Sequence, residues 1–248
     1  MIRQRLAVTL LAFSCLLGAS PAVSALPIVV PSSLATTEGS TNNPIPFSFI
    51  PTDPTTRRYQ QVYDASEFPM ASWITSLAFR PDALFGTAGS TTLASVQIDL
   101  STTTAAVDGL STTFASNLGA DNTTVFSGAL PLSSANTPAG PGPRDFDIAI
   151  TLLTPFLYDP ALGNLLLDVR NFDVTITTVF DAQNVGNDGI SRVFTSFVDA
   201  SSPTADSRDT LGLVTQFQAT PVPEPATLLL VGCGLAVVFS CRRASRWT

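Results

Sequence analysis

The sequence predicts an all-β fold: an antiparallel β-sandwich of jelly-roll type with one short helix laid across it, and an apolar segment at each end of the chain. Three observations predict it. Ten short strand-like runs occur, and several of them place apolar residues at alternate positions, the period at which side chains share one face of a strand. Ser and Thr make up about a quarter of residues 26–220, and Thr, with Val, Ile and Phe, packs well on a pleated surface. Gly, Pro, Asn and Asp punctuate the gaps, with no long helical pattern between them, so short strands and tight turns must fill the domain.

The elements follow in chain order. Arg3 and Arg5 precede an apolar core, Leu6–Leu17, then Gly18 and small residues ending in Ala22-Val-Ser-Ala25. A charged start, a short apolar core and a small-residue exit predict a signal peptide over 1–25, cut by signal peptidase after Ala25. About 12 apolar residues are too few to span a bilayer stably. Phe13 stands where a lipid-attachment site at Cys15 would want a small residue. Residues 26–44, rich in Pro, Ser, Thr and Asn, read as an N-terminal arm, and 45–220 as the sandwich domain.

The expected strands are Ile45–Ile50, Arg58–Tyr63, Trp73–Arg80, Leu93–Ser101, Thr123–Ser127, Asp145–Leu153, Leu165–Arg170, Asp173–Phe180, Arg192–Val198 and Leu211–Gln218. In the run from Asp145, the residues Phe146, Ile148, Ile150 and Leu152 share a face, and in the run from Asp173, Val174 and Ile176 do the same. Between Asp108 and Gly119, Leu110, Phe114 and Leu118 stand four apart, which predicts a helix with Asp108 as its cap and Gly119 at its end. Residues 128–144, with four prolines, and 199–210 read as loops, and Ala219–Val222 as a short linker.

Residues 221–248 form the second terminal segment. Val222-Pro223-Glu224-Pro225 leads into the apolar run Ala226–Ser240, and Arg242, Arg243 and Arg246 follow. Fifteen helical residues extend about 22 Å against a hydrocarbon core of about 30 Å. A transmembrane helix over 226–241 is therefore a short span that requires local thinning. The three arginines act as a stop on the cytoplasmic side and leave residues 26–220 outside. Two prolines fix φ and keep the preceding motif extended. The alternative is a plain anchor that is never cut.

Composition excludes several functions. Residues 26–220 hold seven Arg against sixteen Asp and two Glu, a net charge of −11, which opposes nucleic acid and anionic lipid. The three cysteines, Cys15, Cys233 and Cys241, lie in the terminal segments, so the domain has no disulfide, thiol nucleophile or thiolate metal site. The chain has no His and no Lys, which removes the Ser-His-Asp arrangement, the usual zinc catalytic sites and Schiff-base chemistry.

Three constellations remain. Asp145 and Asp147, two apart on one strand face, stand about 7 Å apart, compatible with a weak carboxylate glycosidase, although polar-out alternation alone accounts for them. Asp181, Asn184, Asn187 and Asp188 crowd one loop beside Gly186 and Gly189, an oxygen-rich set of the kind that binds calcium; the spacing departs from an EF-hand, and these are also ordinary turn residues. Tyr59, Tyr63, Trp73 and Tyr158 offer rings for stacking on sugars, with Trp73 expected in the core and the tyrosines at half-buried edges.

Over residues 222–246 the Pro-Glu-Pro motif, apolar run and Arg-rich end resemble the PEP-CTERM sorting tail. The resemblance implies an exosortase as processing partner, acting near Pro223–Pro225 in a bacterium that makes extracellular polysaccharide. Tyr59–Asp64, Leu100–Thr104, Leu110–Phe114 and Phe156–Asp168 are similar to segments of other PEP-CTERM ectodomains, a similarity that assigns no activity. The expectation is an exported, non-catalytic structural or adhesive protein, held transiently in the inner membrane and then placed at the cell surface or in the matrix. The alternatives are a carbohydrate-binding module for exopolysaccharide and the glycosidase.

Overall fold

Alternation becomes sheet from Leu26 onward. The computed structural model describes residues 24–48 and 56–222. Its strands are β1 (Leu26–Val30), β2 (Thr41–Asn43), β3 (Arg57–Tyr63), β4 (Ser72–Phe79), β5 (Gly89–Thr103), β6 (Thr123–Ser134), β7 (Ile148–Tyr158), β8 (Asn164–Asn171), β9 (Phe180–Asn184), β10 (Ile190–Phe194), β11 (Ser207–Asp209), β12 (Leu211–Leu213) and β13 (Thr215–Pro221). They form a four-stranded sheet ordered β1-β13-β4-β7, a six-stranded sheet ordered β11-β10-β3-β8-β5-β6, and a three-stranded sheet ordered β12-β9-β2. The paired strands run antiparallel.

The core lies between the two larger sheets. Ile74, Leu77 and Phe79 of β4, Ile148 and Ile150 of β7, and Phe217 of β13 share one buried cluster with Leu93, Ile98 and Leu100 of β5 and Leu165 and Leu167 of β8. Each such side chain contributes about 1.5–3 kcal/mol on burial. Tyr63 of β3 meets Phe217 edge-on at 5.0 Å, a ring contact between the two sheets. Phe47, Phe79 and Phe180 join the three-stranded sheet to the same core.

Every residue of β3 is buried, because both faces of the six-stranded sheet are covered there. A second cluster of Val62, Leu110, Phe114, Leu166 and Val193 lies on its other face. Under it Arg58 donates to both carboxylate oxygens of Asp168, at 3.1 and 2.6 Å, and Gln60 donates to the same carboxylate at 2.8 Å. The Arg58 guanidinium also stacks on Phe114, 4.4 Å from the ring centre.

Several elements differ from the sequence expectation. The helix between Asp108 and Gly119 shrinks to one 3-10 turn, Phe114–Asn117. Its backbone is drawn into tertiary bonds instead: Ala205 N–H donates to Thr112 O, and Phe114 N–H donates to Pro203 O. Asp108 adopts φ 60° and accepts from Asn187 N–H rather than capping a helix. Leu110 and Phe114 are buried as the spacing required, but on a looped backbone.

Residues 26–44, expected as an arm, supply β1 and β2 to two sheets. Residues 45–48 form a turn rather than the start of a strand, and 49–50 lie outside the described residues. Residues 172–179 join no strand ladder: Phe172 N–H donates to Ser95 O and Val179 O accepts from Asp82 N–H at the two ends, and near the first Asp173 turns its carboxylate onto Ala94 N–H, Thr175 N–H and the Thr175 hydroxyl. These bonds hold the Asp173 carboxyl below its ordinary range. The expected loop 128–144 begins as strand, because β6 is the outer strand of its sheet and tolerates Pro131 there. The short β11 lies within the expected loop 199–210. Ala219–Pro221, expected as linker, continues β13 in register with β4.

Candidate functional site

The C-terminal motif begins where the sheet stops. Thr220 of β13 stands opposite Trp73 of β4, and Pro221 opposite Ser72. Val222 N–H then donates to Ala71 O at 3.0 Å, one bond beyond the strand. The fold therefore holds the chain rigidly up to Val222, with no free linker before Pro223. Val222 is exposed. Pro223, Glu224 and Pro225, the run 226–241 and Arg242, Arg243 and Arg246 lie outside the described residues. Among the described residues no helix is long and apolar enough to cross a membrane.

The other terminal segment arrives at the same place. Ala25 is exposed and directly precedes β1. Leu26 is in register with Ala219, three residues before Val222. The expected signal-peptidase site and the sorting motif thus flank one end of the four-stranded sheet. Neither sequence segment predicts this adjacency; it is a consequence of β1 pairing with β13.

The aromatic set does not form a platform. Tyr59, Tyr63 and Tyr158 are buried, their hydroxyls spent inside the domain: Tyr59 on the Gln61 side chain, Tyr63 on Thr215 at 2.9 Å, Tyr158 on Gly163 O at 2.8 Å. Burial pushes all three phenols above their ordinary range. Trp73, expected in the core, is instead 43% exposed. Ser72 and Ile74 take the inward positions of β4, and alternation sends Trp73 outward.

Asp145 and Asp147 precede β7 rather than standing on it. Asp145 accepts from the Thr137 hydroxyl, and Asp147 accepts from Ala135 N–H at 2.7 Å, so both carboxylates pin the loop between β6 and β7. Phe146 leaves the apolar face of β7 and packs on Arg80, 4.8 Å from the ring centre.

The four oxygen-rich residues have separate occupations. Asp181 is buried in β9, accepting from Arg80 Nε at 2.7 Å and Gly39 N–H at 2.9 Å. Asn184 accepts from the Thr210 hydroxyl. Asn187 occupies a left-handed turn position, and Asp188 accepts from Ile190 N–H. Burial raises the Asp188 carboxyl.

A different acidic cluster surrounds Asp181. Glu38, Asp82 and Asp181 bring carboxylate oxygens within 4.8 Å of one another. Arg80, 1% exposed, answers them: it pairs with Asp181 at 2.6 Å and donates to Leu34 O and Thr37 O. Burial is the largest influence on Asp181 and, with repulsion from Glu38, outweighs Arg80, pushing its carboxyl up to about 6. Burial raises Glu38 as well. No spacing joins residues 38, 80, 82 and 181 in sequence; the only local signal is an arginine ending an alternating strand.

No curated protein matches the chain. The family model of the PEP-CTERM protein-sorting motif matches residues 221–244, starting on the last residue of β13. This protein is therefore a β-rich domain followed, without a linker, by a PEP-CTERM sorting motif.

Proposed function

We propose that this is an exported bacterial protein held in the inner membrane by residues 226–241 and processed by an exosortase at Pro223-Glu224-Pro225. On this reading signal peptidase removes residues 1–25, and the two-layered β-sandwich ends at the cell surface or in the extracellular matrix. Its role there is structural or adhesive, and the chemistry is done to it rather than by it. The observation that carries the reading is the motif match at 221–244, beginning where the last strand ends. A chain that leaves the end of an inner strand, and whose two prolines resist helix, is a backbone that a processing enzyme can grip.

The test replaces Pro223, Glu224 and Pro225 together with alanine in cells that carry the exosortase. The variant stays membrane-bound at its unprocessed length, while the parent chain is shortened and released. Equal release of both chains would refute the reading.

A second reading, exopolysaccharide binding, is favoured by one groove. Its lining residues include Thr87, Ser90, Thr91, Ser133 and Thr178, together with Ile148 and Phe180. Polysaccharide retention lost on Thr178→Val and Ser133→Ala, with folding intact, supports this reading. Equal retention by the variants counts against it.

A further inference from the structure

The outer face of the four-stranded sheet carries an apolar corner at the point where the sorting tail leaves. Trp73 and Leu157 are cross-strand partners on β4 and β7, 43% and 47% exposed. Thr220 stands on the other side of Trp73. Val222, two residues on and so on the same face, is exposed, as is Met70 just before β4. The opposite faces of these strands are core: Ile74, Phe156 and Ala219 are buried in the adjoining row. Trp73, Leu157 and Val222 thus form one contiguous patch rather than scattered surface residues.

The tail fixes what lies in front of that patch. From Val222 to Ala226, where the apolar run begins, the chain has four steps, at most about 14 Å when fully extended. Leu26, which follows the expected signal-peptidase cut, is paired at the same end of the sheet. While the tail is membrane-anchored, no longer linker is available to move this corner away from the lipid surface. Confinement at that distance replaces a binding affinity that the patch alone would not supply. Indole is the side chain most at home at the boundary between headgroups and acyl chains, with an apolar body and one N–H donor.

We propose that, before processing, this corner rests on the membrane, with Trp73 in the headgroup layer and Leu157, Val222 and Met70 beside it. The inference rests on the anchored tail described above and adds an orientation: the four-stranded sheet meets the bilayer by its tail-proximal end. The lipid is zwitterionic in character, because a domain of net charge −11 is repelled by an anionic surface. Removal of the tail ends the confinement, and the corner leaves the bilayer with the released domain.

The chain has two tryptophans, Trp73 and Trp247, so each can be read alone. The chain from Leu26 to Thr248, without the apolar segment 1–25, is reconstituted into phosphatidylcholine–phosphatidylethanolamine vesicles as Trp247→Phe and, separately, as Trp73→Phe. Vesicle flotation and quenching of Trp247 report whether the tail is anchored. Trp73 emission is then measured with lipids brominated near the headgroup end of their chains. The expected result is about two-fold quenching of Trp73 by those lipids, with weak quenching by aqueous iodide. Flotation with Trp73 open to iodide and untouched by bromolipid would overturn the proposal and leave the anchor standing. Trp73 shielded from both quenchers would also overturn it, by showing a protein contact. A chain that does not float would remove the anchor itself.

Discussion

Replacing Arg80 with methionine is the sharpest test of how this domain tolerates buried charge. Arg80 is 1% exposed and is the cation among Glu38, Asp82 and Asp181. Methionine keeps most of the volume and removes the charge and the bonds to Asp181, Leu34 O and Thr37 O. Breaking a buried pair by deleting one partner costs about 3–5 kcal/mol, because the remaining charge stays buried. The loss must depend on pH, and its sign follows from the carboxyl. Asp181 is raised from 3.8 to about 6 in the folded state, so the folded chain binds more protons than the unfolded one between those values. Its contribution to stability is fully present below pH 3.8 and is lost as pH rises through about 6; for the parent chain that loss is about 3 kcal/mol. Without Arg80 the carboxyl rises further and the window extends upward. Urea unfolding of the full chain in detergent, followed by near-ultraviolet circular dichroism, should therefore show Arg80→Met weakened by about 3–5 kcal/mol at pH 7.5 and by about 2 kcal/mol less at pH 5. Glu38, whose carboxyl Arg80 also holds down, rises with Asp181 and adds to the same pH dependence; carboxylates away from this cluster titrate equally in both chains and cancel in the difference. An equal loss at both pH values would refute the reasoning.

Three further substitutions test the packing. Phe114→Ala removes the centre of the second cluster and the ring under Arg58, and should lower unfolding free energy by about 3–5 kcal/mol in the same assay. Gly119→Ala places a Cβ 1.8 Å from Thr102 O, a backbone atom that cannot move aside alone, so a loss of at least about 2 kcal/mol is expected in urea midpoint. Trp73→Ser, by contrast, should change stability by no more than about 0.5 kcal/mol, because the ring lies outside the core; a large loss there would contradict the exposed placement.

What the sequence makes legible is what local chemistry decides. Strands β3, β4, β5, β8 and β13 fall on or overlap the expected strand runs bounded by turn residues, and the terminal motif is recognisable from residue order alone. What it hides is decided by distant partners. Residues 108–118 carry a helical spacing, but bonds to Pro203 and Ala205 take their backbone. The arm at 26–44 lacks long alternation, and β1 exists because β13 offers it an edge. The tyrosines look like edge residues until Thr215, Gln61 and Gly163 supply buried partners for their hydroxyls. The Arg80 cluster joins four sequence positions that no motif connects. Asp145 and Asp147 look like a catalytic spacing and work as loop clamps.

The central claim is that the folded domain is handed to a processing enzyme through a tail that starts at its last strand. The most direct measurement is the intact mass of the protein recovered from matched cells with and without the exosortase. The expected chain begins at Leu26 in both, ends near Pro223–Pro225 when the enzyme is present and retains residues 226–248 when it is absent. One identical mass from both cell types, with residues 226–248 still attached, would contradict it.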